Sequence, residues 1–147
     1  MLITRRLGIM LALGGVSMLS AGCASLGAGY TPVSSAPPGK ATVYVYRPSA
    51  FTGGAIAYTV SVNGTDVSTL ASGGYFVTYV NPGENEFSAK TEAKTSVTID
   101  AKQGQSYYVK GSLGMGVFVG HPHLVQVSND EAAPEIAKCK LMPPKKD

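Results

Sequence analysis

The pair Asn63-Gly64, set between two runs of alternating apolar and polar residues, constrains this chain more than any other feature. A type I′ turn needs φ > 0 at both central positions, which Asn and Gly tolerate. The pair therefore predicts a hairpin between strands over Ala55–Val62 and Thr65–Leu70. Pairing across it puts Val62 opposite Thr65 and Val60 opposite Val67, which keeps Val60 and Val67 on one face.

The same texture runs through most of the chain. Thr42–Arg47 reads as a first strand, with Val43 and Val45 on one face and Tyr44 and Tyr46 on the other, ended by Pro48. Ser49–Gly54 is a loop. Tyr75–Val80 follows Gly73-Gly74, and Asn81-Pro82-Gly83-Glu84 fits a type II turn into Asn85–Thr91. Thr95–Asp100, Ser106–Lys110 and Leu124–Ser128 complete the set, and Pro134–Leu141 is open between one helical turn and an extended edge. Eight Tyr, many Val and Thr, abundant Gly and few charges agree with β structure. Seven or eight short strands with turns every 8–12 residues predict an all-β fold, a small antiparallel β-sandwich over residues 40–141 with one buried face per sheet.

Ahead of this domain the residues serve a different purpose. Arg5 and Arg6 form a positive n-region, and the thirteen uncharged residues Leu7–Leu19 suit a signal h-region. A spanning helix would need about 20 apolar residues. Leu19-Ser20-Ala21-Gly22-Cys23 resembles a bacterial lipobox, with Ser20 where Leu is commonest. The expectation is a signal peptide over 1–22 and a mature N-terminus at Cys23, whose thiol takes lipid. Several acyl chains hold where one chain binds only marginally. By resemblance to enterobacterial sorting, Ala24 after the cysteine favours the outer membrane, facing the periplasm. Residues 23–39, with Pro32, Pro37 and Pro38 and no apolar periodicity, read as the lipidated cysteine and a flexible tether. The sixteen residues 24–39 reach roughly 20–24 Å as a coil and about 50 Å stretched. Residues 142–147 read as a frayed tail.

Removing residues 1–22 takes away Arg5 and Arg6 and lowers the formal charge from +3 to +1. No basic cluster is interleaved with aromatics, so nucleic acid is not an implied partner. The cysteines are Cys23 and Cys139; with Cys23 acylated no intramolecular disulfide can form. Cys139 reads either as a buried small hydrophobe or as an intermolecular thiol or metal ligand.

The ordered features Tyr44-Val45-Tyr46-Arg47-Pro48, Val62-Asn63-Gly64, Tyr75-Phe76-Val77, Asn81-Pro82-Gly83, Tyr107-Tyr108-Val109 and Cys139-Lys140-Leu141 resemble a bacterial lipoprotein family, domain of unknown function twenty-eight forty-six. The strand–Asn-Gly–strand order is also similar to PEGA-type domains, with a transthyretin-like sandwich. The resemblance implies an envelope module, usually non-enzymatic, and brings no catalytic or binding residues.

Chemistry is sparse. No Gly-x-Ser-x-Gly elbow is present for a hydrolase. Glu84 and Glu86 share a strand face, where paired carboxylates could act on a glycoside, although a solvated hairpin tip accounts for them as well. Gly111–Gly120 lacks the Gly-Lys-Ser/Thr of a phosphate loop. Its Leu113, Met115, Val117, Phe118 and Val119 fit either a glycine-kinked core strand or an apolar loop that meets lipid or a partner. His121 and His123 are read as pointing to opposite sides unless Pro122 bends the chain; with Cys139, Met115 or Met142 they could hold Cu or Zn. The expectation is a lipid-anchored, non-catalytic module needing no cofactor beyond the lipid on Cys23. It would meet an unknown envelope protein through sheet edges, Tyr-rich faces or the 111–123 segment, with Met115, Val117 and Phe118 as contact candidates. Periplasmic metal binding through His121, His123 and Cys139 is the alternative.

Overall fold

A computed structural model describes residues 27–115 and 120–145, so the expected signal peptide, Cys23, Val117 and Phe118 lie outside the described residues. Alternating residues fold into β1 (Ala41–Tyr46), β2 (Tyr58–Val62), β3 (Thr65–Leu70), β4 (Gly74–Val80), β5 (Gly83–Lys90), β6 (Lys94–Ala101), β7 (Ser106–Met115) and β8 (Gly120–Val127). The helix α1 (Asn129–Ile136) and the two-residue β9 (Lys140–Leu141) follow. They form two packed sheets, one ordered β8-β7-β1-β4-β9 and one ordered β3-β2-β5-β6. The predicted all-β sandwich is what the chain forms.

The pairing departs from all-antiparallel in two places. β1 runs parallel to β7, and β4 runs parallel to β9. The long connection from β1 through the second sheet to β7 permits the first of these.

Between the sheets lie Val43, Val45, Val60, Leu70, Phe76, Phe87, Ile99 and Val109. Burying each such side chain stabilises by about 1.5–3 kcal/mol. The expectation of one buried face per sheet fails for the five-stranded sheet, because β1 is buried on both faces. Its outer Tyr44 and Tyr46, with Tyr75, pack under Ala132 and Ile136 of α1 and beside Cys139. Tyr30 completes this second cluster, edge-on to Tyr44 and Tyr75 at 5.8 and 5.3 Å between ring centroids. Tyr44, Tyr46 and Tyr75 of the Tyr-rich face are thus covered, while Tyr79 at its far end is 41% exposed.

The Asn63-Gly64 turn forms as predicted, with φ of 49° and 83° and Val62 opposite Thr65. Val60, however, faces Ser68 and not Val67, because the register shifts between Val60 and Ser61. The extra residue on β3 is a bulge, and Ser61 Oγ donates 2.6 Å to Asp66 across it. Asn85 ties the two turns together, donating to the carbonyls of Asn81 and Gly83 and accepting from Asn63 Nδ2 at 2.9 Å.

Residues 27–33, expected as tether, are bound to the domain. Gly27 and Tyr30 donate backbone bonds to the Leu141 and Cys139 carbonyls, and Leu141 donates to Ala28. The tail expected to fray is held as far as Lys145. Met142 is buried, Ser68 Oγ donates to the Pro143 carbonyl at 3.0 Å, and the Lys145 amide donates to Val67. Both segments find open strand edges to pair with, which low local periodicity did not reveal.

Candidate functional site

Within the segment 111–123, the described residues 111–115 and 120–123 are paired strand and not free loop. β7 and β8 extend through it as an antiparallel hairpin, Met115 opposite Gly120, with the tip 116–119 outside the described residues. Met115 ends β7, and its side chain is likewise outside them. Glycine is needed where this hairpin meets the core. A Cβ on Gly111 would lie 2.5 Å from the Tyr58 hydroxyl, and one on Gly120 would lie 2.6 Å from Leu113 Cδ2.

His121 and His123 sit on the same exposed face of β8, with Pro122 buried between them. This corrects the expectation of opposite faces: alternate residues of a strand point the same way. Cys139 does not join them. It is buried, its thiol within 3.7 Å of the Arg47 carbonyl and 3.6 Å of the Glu135 carbonyl. Burial first, then the Glu135 charge, push its pKa up to about 11, which suits an inert packed thiol. Among the described residues no three His, Cys, Asp or Glu converge as a metal site. Met142 is buried in the core and turned to other work. Glu84 and Glu86 lie exposed on one face of β5, as expected, and Glu86 pairs with Lys94 at 3.7 Å.

Next to the hairpin is a feature that the sequence reading passed over. Arg47, read only as the end of the first strand, is 1% exposed. Its Nη1 donates to the Ile56 carbonyl at 2.6 Å and Nη2 to Gly53 at 2.9 Å, while its guanidinium lies 5.4 Å from the centre of the Tyr58 ring. No ion pair to Arg47 is present among the described residues. A buried cation held by two carbonyls and a ring face fixes the loop 48–57 in place. That fixed loop carries Phe51 fully into solvent. The signal available in the sequence was a lone aromatic within the turn-forming Ser49–Gly54 stretch.

A cleft of about 210 Å³ opens between this loop and β7, walled by Ser49, Ala50, Ser112 and Leu113. Lys110 and Glu135 add charge to its lining. These two neutralise each other at 2.7 Å, and Tyr46 donates 2.6 Å to the other Glu135 oxygen. Burial works to raise the Glu135 pKa, but the bonds from Lys110 and Tyr46 outweigh it and hold the carboxyl below its ordinary value. The Lys110–Glu135 pair thus leaves the cleft with the Arg47 guanidinium at its base, beside the hydroxyls of Ser49 and Ser112 and the apolar carbons of Ala50 and Leu113.

The opposite sheet has a polar outer face, with Thr59, Ser61, Asp66, Glu86, Ser88 and Lys94 around an open hollow of about 500 Å³. Its charges face solvent and pair locally, as on the wet side of a sandwich.

A family profile described as "Protein of unknown function (DUF2846)" matches residues 37–122. That span covers β1 through the start of β8, so α1, β9 and the bound N-terminal segment lie beyond it. A protein of Haemophilus influenzae described as uncharacterized is 29% identical over 104 residues. The match takes in 70% of this chain and 61% of that relative, so the chain spans less than two thirds of its length. No solved structure gives a significant match. With most of its sandwich inside the matched span, the chain belongs to the DUF2846 family.

Proposed function

We propose that this protein is a non-catalytic envelope module, anchored by lipid on Cys23 at the periplasmic face of the outer membrane. In this reading it binds another envelope protein through the end formed by the 48–57 loop and the β7–β8 hairpin. The observation that carries the contact surface is Phe51: a wholly exposed aromatic on a loop fixed by a buried arginine. Ordering an exposed aromatic in advance lowers the entropy lost on binding, and aromatic anchors dominate interface energetics. The adjoining cleft extends that surface, and Met115, Val117 and Phe118 are assigned to it from their apolar sequence alone.

The anchor rests on the residues of the lipobox, Ala21-Gly22-Cys23, after the uncharged run Leu7–Leu19. In-cell crosslinking followed by mass spectrometry tests the contact surface. Phe51→Asp and Phe118→Asp should each abolish the crosslinked partner while leaving the circular dichroism of the domain intact. Crosslinking that persists in both variants would sink the assignment of this surface.

A further inference from the structure

The backbone pairing at one edge of the sandwich limits where the membrane can be. Gly27 is bonded to Leu141, and Gly29 stands opposite Lys140 in an antiparallel bridge. Gly27 is tightly seated, since a Cβ there would lie 2.9 Å from the Leu141 carbonyl oxygen. Between Cys23 and this fixed point stand three residues, Ala24, Ser25 and Leu26. Even fully extended, that stretch spans only about 14 Å. The tether expected at about 50 Å shrinks to a fraction of that length. The acyl chains hold Cys23 at the top of the hydrocarbon layer, and the headgroups above it fill roughly 5–8 Å.

The direction of exit selects the surface that meets the membrane. Because Gly27–Tyr30 runs antiparallel to Cys139–Leu141, Gly27 is the end of that segment that lies beside Met142–Pro144. This edge is apolar at its rim: Leu141 is 39% exposed, and Pro143 and Pro144 are exposed beside it. Shallow clefts of about 200 and 180 Å³ lie along it, both lined by Leu141, Met142 and Pro144. Residues 138–146 include four lysines and no acidic residue. Lys138 and Lys140 are exposed, and Lys145 pairs with Asp66. Apolar groups flanked by lysines match an anionic headgroup layer.

We infer that the edge made by Gly27–Gly29, Lys140–Leu141 and Pro143–Lys145 lies directly against the lipid surface, with Leu141 and Pro143 in the interface and Lys140 facing anionic headgroups. The inference rests on lipidation at Cys23 and adds an orientation to it. β8 is the opposite edge of the five-stranded sheet, about 19 Å away across four strand spacings. Docking by the β9 edge turns the β7–β8 hairpin away from the membrane, where a partner can reach it.

The test uses the full lipidated protein in protein-free vesicles of phosphatidylethanolamine and phosphatidylglycerol. Nitroxide labels are placed singly through Pro143→Cys, Lys140→Cys and Gln126→Cys, the last on β8. Labels at 143 and 140 should be shielded several-fold from an aqueous nickel relaxant relative to 126. Equal aqueous exposure at all three, in protein whose mass shows acylated Cys23, would overturn the orientation and leave the anchor standing. Protein that lacks the acyl mass and does not float with vesicles would overturn both. Shielding of 143 found in cells but not in vesicles would overturn the inference and assign the cover to another protein.

Discussion

A single buried cation organises the loop that carries the proposed contact residue Phe51. Arg47 reaches two carbonyls of the 48–57 loop with separate nitrogens of one rigid fork, which a lysine cannot match. Arg47→Lys should leave one of those carbonyls short of a partner, at a cost of about 1–3 kcal/mol. Hydrogen exchange gives the local readout. The amides of Gly54 and Ile56, bonded within the loop, should exchange faster in the variant, while those of β1 stay protected. Unchanged exchange at Gly54 and Ile56 would mean that the loop holds itself. The same residue explains why exposure of Phe51 is affordable in conformational terms, since its loop is ordered from below.

At the scale of elements, α1 covers the tyrosines of the five-stranded sheet and depends on its ends. Ser128 caps the first turn, accepting from the Glu131 amide at 3.3 Å, and Asp130 and Glu131 add negative charge where the helix dipole favours it. Ser128→Ala should lower stability by about 1 kcal/mol in urea denaturation, and a midpoint equal to that of the parent would show the cap to be idle. Strands were legible in the sequence wherever turn chemistry bounded them, as at Asn63-Gly64 and Pro82-Gly83. Their faces were legible too, as with Val43 and Val45 inward on β1. The helix was foreseen only in part. Its start lay in Ser128-Asn129-Asp130-Glu131, a capping-box pattern, whereas Pro134 drew attention to the wrong residue as a beginning. The closing Lys140–Leu141 strand and the Gly27–Tyr30 pairing were not legible, because each depends on an open edge supplied by distant chain. For the candidate site, Val117 and Phe118 lie outside the described residues, and the sequence marks them only by their apolar character. The Arg47 clamp was not legible, since the carbonyls it holds carry no sequence signature.

The molecule as a whole is a sandwich with a second layer on one side. Residues beyond the family-matched span build that layer: Tyr30 and Val33 before it, and α1 and Cys139 after it. The family core thus supplies the sheets, and the flanking chain closes the tyrosine face and fixes the point from which the N-terminal segment departs. In the proposed account this arrangement holds one edge at the lipid surface and presents the opposite hairpin to a partner. All of it depends on lipid at Cys23. The most direct measurement is metabolic labelling with a palmitate analogue in cells expressing the parent chain or Cys23→Ser, with the mature N-terminus read by mass spectrometry. The account predicts a labelled protein beginning at Cys23 and complete loss of label in the variant. Label that persists in Cys23→Ser, or a mature parent protein whose Cys23 carries no lipid, would contradict it.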